Sequence, residues 1–256
     1  MRQPSLSVAA RNSAILTHIR ELKADHPFWG YRHCWAHLRY VNRLDVNKKR
    51  VYRLMNSHRL LATQTSHEIP RLSTRPKPRA DRPNQWWGID MTKAMTESGG
   101  AYVVLVKDWY TKQIVGHHCG TTATSREWLM ALERGLQWQC PDGSREQQIH
   151  LMSDNGSQPT SLAFMKACGI LGVQQAFTSY NNPKGNADTE RIMRTLKEEL
   201  VWLQEWRDPF ELSAALDNWI ENYNETWLHA SLGYRTPNQV RNAYNLSHKT
   251  LLKDAC

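Results

Sequence analysis

Apolar residues recur at helical spacing near the start of the chain, where Ala14, Ile15, Ile19 and Leu22 mark one face of a helix over residues 11–24. A second short helix is predicted by Trp35, Leu38 and Val41, then a polar break from Asn42 to Asp45. A third, opened by Asn47, carries Val51, Leu54 and Met55. Residues 63–85 are almost without apolar side chains and hold several prolines and bases, the pattern of an extended cationic linker. From Trp86 the period changes from helix to strand. WWGIDMTKA, GGAYVVLVKDW and KQIVGHHCG are β-prone runs separated by Gly, Ser and polar turns. An amphipathic helix from Ser125 to Leu136 follows. Then come a strand in QIHLMSD, a helix from Ser161 to Cys168 and a strand in GVQQAFT. After the loop SYNNPKGNAD two helices are expected, 188–203 with Ile192, Leu196 and Leu200 inward, and 209–223 with Leu212, Leu216 and Ile220 inward.

This order is that of an α/β domain with a mixed sheet, preceded by a small all-α module. The expected boundaries are 1–62 for the helical module, 63–85 for the linker, 86–245 for the α/β core and 246–256 for a tail. Two short helices joined by a tight turn suit a helix-turn-helix, with Lys48, Lys49, Arg50 and Arg53 at the start of its second helix as candidate DNA contacts. A helical bundle with a solvated basic face is the alternative.

Charge sharpens the division. Residues 1–84 carry 17 Lys and Arg against 5 Asp and Glu, while residues 85–256 carry 16 against 19. A basic front joined to a near-neutral body points to a polyanionic partner. The five cysteines are scattered and read as reduced thiols of a cytoplasmic protein. His26, His33, Cys34 and His37 lie close together, but no second cysteine pair follows at the spacing a structural zinc needs. The start lacks the apolar segment of a signal peptide, and the run from Ala101 to Val106 is far short of the ~20 residues that span a bilayer.

Three acids have unusual positions. Asp90 lies in or at the end of the first strand, Asp154 directly after the strand IHLMS, and Glu190 in the first turn of a helix behind a Gly/Pro/Asn loop. Each has an ordinary explanation: a strand-end cap, a DNG turn, a first-turn acid favoured by the helix dipole. Together they could converge at one sheet edge as an all-oxygen site, which suits Mg²⁺ or Mn²⁺ rather than zinc. Asp108, between two strands, is expected to be structural.

The segments WGIDMT, VLVKDWYTKQIVGH, SDNGSQ, SYNNPKGNADTERIMRTLKEE and ENYNETWLHASLGYRTPNQV resemble the integrase-core transposases of bacterial insertion sequences. The resemblance covers about residues 20–240, and the 35 residues between Asp154 and Glu190 match that family's spacing. It implies an RNase H-like fold with a five-stranded mixed sheet, and Asp90, Asp154 and Glu190 as catalytic carboxylates holding two Mg²⁺ or Mn²⁺ ions. It also implies DNA strand cleavage that leaves a 3′-OH, followed by attack of that 3′-OH on a second phosphodiester. Lys197, seven residues after Glu190, would contact DNA, with Arg194 between them on nearly the same stripe. The implied partners are DNA ends and target, further copies of the chain, and a helix-turn-helix product of an upstream reading frame, separate or fused. The competing readings are a non-catalytic DNA-binding regulator and an RNase H-like nuclease without joining activity.

Overall fold

The computed structural model describes residues 6–62, 78–178 and 186–254. Most of the expected linker and most of the loop before Glu190 lie outside the described residues. The chain divides into two compact units, Met1–Arg71 with Leu228–Tyr234, and Leu72–Trp227 with Arg235–Cys256.

The first unit holds α1 (Leu6–Asp25), α2 (Tyr31–Ala36, continued by a π-helical turn His37–Val41) and α3 (Lys48–Ser57). Its core is Ile15, Ile19 and Leu22 from α1, Cys34 and Leu38 from α2, and Val51, Leu54 and Met55 from α3. Val41, expected inward, is exposed. The reason is the widened turn: Asn42 N–H donates to His37 O at 3.0 Å, an i→i−5 bond, and the apolar stripe loses its 3.6-residue period there. Asn47 caps α3 by accepting from Arg50 N–H at 2.9 Å. The segment Leu228–Tyr234, expected in the core, clusters with this unit.

The second unit is built on a sheet of order β3-β2-β1-β4-β5. Strands β1 (Trp86–Thr96), β2 (Gly99–Asp108) and β3 (Ile114–Gly120) form an antiparallel meander. β4 (His150–Ser153) and β5 (Gln174–Phe177) join it in parallel, after the crossovers through α4 (Ser125–Gln139) and α5 (Leu162–Leu171) that parallel pairing requires. Strand alternation sorts the core into two layers. Trp87, Ile89, Val104, Val106 and Val115 pack under α4 and α5 through Trp128, Leu132, Leu136 and Phe164. Ala94, Val103, Leu105 and Ile114 face α6 (Ala187–Leu196, continued by a π-helical turn Lys197–Val201) and α7 (Pro209–Thr226). In α6 the wide turn again shifts the pattern: Ile192 and Leu196 are buried as expected, Leu200 packs half-buried against the same core, and Val201 is buried beside it.

A last helix, α8 (Pro237–Asp254), runs across the boundary expected at 245. Thr236 and Gln239 start it with reciprocal hydrogen bonds of 3.3 and 3.0 Å, a capping box in T-P-N-Q. Among the described residues no helix is long and apolar enough to cross a membrane.

Candidate active site

On β1 the even-numbered residues face α6, so Gly88, Asp90 and Ala94 share one side of the sheet. Asp90 sits mid-strand, level with Leu105 of β2, half-buried. Its Oδ1 accepts a hydrogen bond from the adjoining Met91 N–H, at 2.8 Å. Burial raises its carboxyl pKa. The charges of Asp154 and Glu190 raise it further, while the Met91 N–H and the Lys197 ammonium pull it back, leaving it at about 6. The two acids and the lysine expected at the site therefore all act on Asp90 through space.

Backbone register explains the first of these meetings. β4 pairs with β1 in parallel, with Trp86 beside His150 and Gly88 beside Met152. Continued two residues, that register brings Asp154 level with Asp90. Asp154 is exposed, and its Oδ1 accepts from Gly156 N–H at 3.1 Å. The DNG turn is thus real, and it orients the carboxylate without enclosing it. The turn is itself held, because Asn155 Nδ2 donates to Thr178 O at 2.5 Å and Gln158 Nε2 to Ala123 O at 3.0 Å.

Glu190 reaches the site because α6 enters the sheet at a glycine. A Cβ on Gly88 would collide with Thr189 Oγ1 and would lie 2.6 Å from Trp109 Nε1 and 2.9 Å from Asn186 Oδ1. Only glycine lets the helix come this close. Asn186 Nδ2 donates to Ile89 O at 3.2 Å, next to Asp90, and Trp109 Nε1 to Thr189 Oγ1 at 3.4 Å. Lys107, level with Gly88 on β2, donates to Asp188 O at 3.1 Å, and Lys112 pairs with the Asp188 carboxylate at 3.3 Å. Glu190 follows directly after this anchored turn and is exposed. The pattern reading passed over these positioning residues. The signal available was the lone glycine inside an apolar strand, a mark of close backbone approach.

Of the two bases expected beside Glu190, Lys197 bears on Asp90, whereas Arg194 pairs with Glu198 at 2.7 Å on the exposed side of the helix. Asp108 is buried and saturated. It accepts from Asn84 N–H (2.6 Å), Trp87 Nε1 (3.2 Å), Tyr110 N–H (2.8 Å), Thr111 N–H (2.7 Å) and Thr111 Oγ1 (3.0 Å), the structural role expected of it.

The donor set of the carboxylate cluster is all oxygen, and Asp90 is loaded by burial and like charge, a combination that a hard divalent cation relieves. Among the described residues no group of three or more His, Cys, Asp or Glu is already gathered into a metal-holding cage. Asp154 and Glu190 stand within charge range of Asp90, but the three carboxylates are not closed on one another.

The four bases of α3 divide in the same way. Lys48 Nζ lies 4.3 Å from the Trp35 ring centre and 5.0 Å from that of Tyr234, and donates to Tyr234 Oη at 2.9 Å. Arg50 donates from Nε and Nη2 to Asn12 Oδ1 at 2.9 and 2.7 Å, tying α3 to α1. Lys49 and Arg53 are exposed, Arg53 donating from Nε to Lys49 O at 3.4 Å within its own helix.

Comparison with known proteins identifies the families that the two units resemble. The integrase core domain family matches residues 80–183 and a second integrase core domain family residues 171–237, while an HTH-like domain family matches residues 10–66. The transposase for insertion sequence element IS629 of Shigella sonnei is 30% identical over 168 residues, covering 66% of this chain and 55% of that protein's length. Transposase InsD for the IS2 elements of Escherichia coli is 25% identical over 236 residues, covering 88% of this chain and 77% of its own. A chain in the cryo-EM structure of the simian T-cell lymphotropic virus intasome, in complex with PP2A regulatory subunit B56 gamma, superposes with a TM-score of 0.53 at 18% identity. That match covers 87% of this chain and 73% of the other, and it shows the shared fold. With an HTH-like domain in front and an RNase H-like integrase core behind it, the chain belongs to the integrase-core transposases of bacterial insertion sequences.

Proposed function

We propose that the chain is a DDE transposase that cleaves DNA strands at the ends of an insertion sequence and joins them to a target, with Asp90, Asp154 and Glu190 as its catalytic carboxylates. The observation that carries this reading is the convergence of the Asp154 and Glu190 charges on the half-buried Asp90, at a point where two strand positions and one helix position meet. Their oxygens would hold Mg²⁺ or Mn²⁺, two ions per site. Such ions supply charge withdrawal from the reacting phosphate and a lowered pKa for the attacking hydroxyl. The chain's own part is to place the strand. The sheet fixes Asp90 and Asp154, the anchored first turn of α6 fixes Glu190, and Lys197 lies on the same side of that helix to hold a phosphate of the entering strand. Lys49 and Arg53 offer further phosphate contacts. With Lys48 and Arg50 engaged inside the front module, reading of the element ends falls largely to a further helix-turn-helix module, supplied by an upstream-frame product or its fusion. Function on paired ends requires an oligomer of this chain on DNA.

The test is thermal melting with and without Mg²⁺ or Mn²⁺, alongside cleavage of labelled element ends. Divalent cations should raise the melting temperature of the wild type through mass action and raise that of Asp90→Asn much less. Cleavage should need the cation. An equal rise in both proteins removes the carboxylate site from consideration.

A further inference from the structure

The first turn of α6 is held from the sheet by a lysine whose position is not explained by helix stability. Lys107 is only 3% exposed, and its ammonium donates to Asp188 O. An ammonium removed from water is costly, and a methionine of similar volume could fill the same space. A cation beside the N-terminus of a helix also opposes the helix dipole. What the ammonium adds is direction, a fixed bond to a carbonyl two residues before Glu190. Lys107 stands opposite Gly88 in the β1–β2 register, and Gly88 is the gap into which Thr189 and Asn186 descend. Gly88 in turn lies two residues from Asp90, on the same face of β1. One socket therefore links the strand that carries Asp90 to the helix that carries Glu190, and Lys112, paired with the Asp188 side chain, braces it from the turn after β2.

We propose that Lys107 is a positioning residue for Glu190: its buried ammonium, gripping Asp188 O at the Gly88 socket, sets the height and rotation of the first turn of α6 and so the distance between the Glu190 and Asp90 carboxylates. The inference rests on the reading of those carboxylates as cation ligands. Loss of a residue that orients a ligand typically costs about 10–100-fold in metal affinity.

The experiment titrates Mn²⁺ alone into the full chain, without DNA, by calorimetry and by metal-dependent melting. It compares wild type, Asp90→Asn, Lys107→Met, Glu190→Gln and the double variant Lys107→Met/Glu190→Gln. Lys107→Met should weaken Mn²⁺ binding on the order of tenfold or more while its metal-free melting stays near that of the wild type. In the Glu190→Gln background the same change should have no further effect, because its route to the metal is gone. A purely structural lysine would weaken binding equally in both backgrounds or in neither, and either result overturns the proposal. Should Lys107→Met fail to fold, Lys112→Met is compared against Glu190→Gln in the same way, and unchanged Mn²⁺ affinity there overturns it equally. If the wild type binds no Mn²⁺, or Asp90→Asn binds as the wild type does, it is the carboxylate reading that has failed.

Discussion

Asp90 and Asp108 stand on adjoining strands of one sheet, and both fall in segments that resemble the same family, yet their surroundings differ in kind. Asp108 accepts five hydrogen bonds from three backbone N–H groups, an indole and a hydroxyl. Asp90 is held by its own neighbour's N–H and faces two other carboxylates. A carboxylate filled by fixed donors has done its work once the chain is folded. One left with like charges for neighbours is poised for a cation. The front module repeats the contrast with opposite sign: Lys48 and Arg50 tie α3 to other segments of the module, while the exposed Lys49 and Arg53 do not, Arg53 bonding only back to its own helix at Lys49 O among the described residues.

The largest expected effect is on activity. Asp154→Asn should lower strand cleavage on the order of 10³-fold, the several kcal/mol that charge stabilisation by a metal site supplies. Its metal-free melting temperature should barely move, since Asp154 is exposed and asparagine keeps the side-chain oxygen that accepts from Gly156 N–H. A large stability loss without an activity loss would place Asp154 with Asp108, and the distinction between the two kinds of site would collapse.

Next in size is the converse substitution. Asp108→Ala leaves Asn84 N–H, Trp87 Nε1 and the Tyr110–Thr111 turn without their acceptor inside the protein. It should cost about 3 kcal/mol or more, since each buried donor left unsatisfied costs about 1–3 kcal/mol, read by urea unfolding, and leave the metal-induced melting shift of the folded fraction intact. A cost under about 1 kcal/mol would mean that the five bonds are replaceable.

The basic helix allows a finer separation. Arg50→Ala should destabilise the front module by about 1 kcal/mol by removing the bonds to Asn12. Lys49→Glu should leave stability unchanged but lower DNA affinity. It should also reduce the slope of log affinity against log salt by about one for each phosphate that the side chain no longer neutralises. If the two variants behave alike in both assays, the division of α3 into bonded and open bases is wrong.

The succession of strands and helices and the structural role of Asp108 were legible because they depend on local rules: alternation, turn chemistry and residue type at an element's end. The reading of Asp90, Asp154 and Glu190 as one site leaned on the family resemblance, since each acid alone has an ordinary explanation. Features set by contacts distant in sequence were hidden. Nothing in the run around Leu228–Tyr234 announces that it clusters with α1–α3, or that Tyr234 receives Lys48. The π-helical turns after Ala36 and Leu196 break the helical period without a proline or glycine to mark them. The α8 helix carries little apolar pattern, with Val240 its buried contribution among the described residues, but its T-P-N-Q start was a readable signal. The socket for α6 needed both the glycine and its distant fillers in view, and the pattern offers only the glycine.

The smallest effect tests whether a filled carboxylate can be recognised by its acid response alone. Glu127 closes a capping box at the start of α4. Burial raises its pKa, but Thr124 Oγ1, Thr122 Oγ1 and Thr124 N–H donate to it at 2.5, 2.8 and 2.7 Å and outweigh burial, leaving it at about 2. A folded-state pKa below the ordinary 4.5 means that the unfolded chain takes up the proton first. The stabilisation is therefore complete above pH 4.5 and is lost as pH falls from there toward 2. Thr124→Ala removes the N-cap and one of these donors, at a cost of about 0.5–2 kcal/mol at neutral pH. It should also bring the Glu127 pKa closer to its ordinary value. The stability gap between wild type and variant should then narrow as pH is lowered from about 6 to about 3, because the wild type has more to lose by protonation. A gap of constant size across that range would show that Thr124 acts through the helix cap alone. The hydrogen bonds to Glu127 would then not be what separates a structural acid from one awaiting a cation.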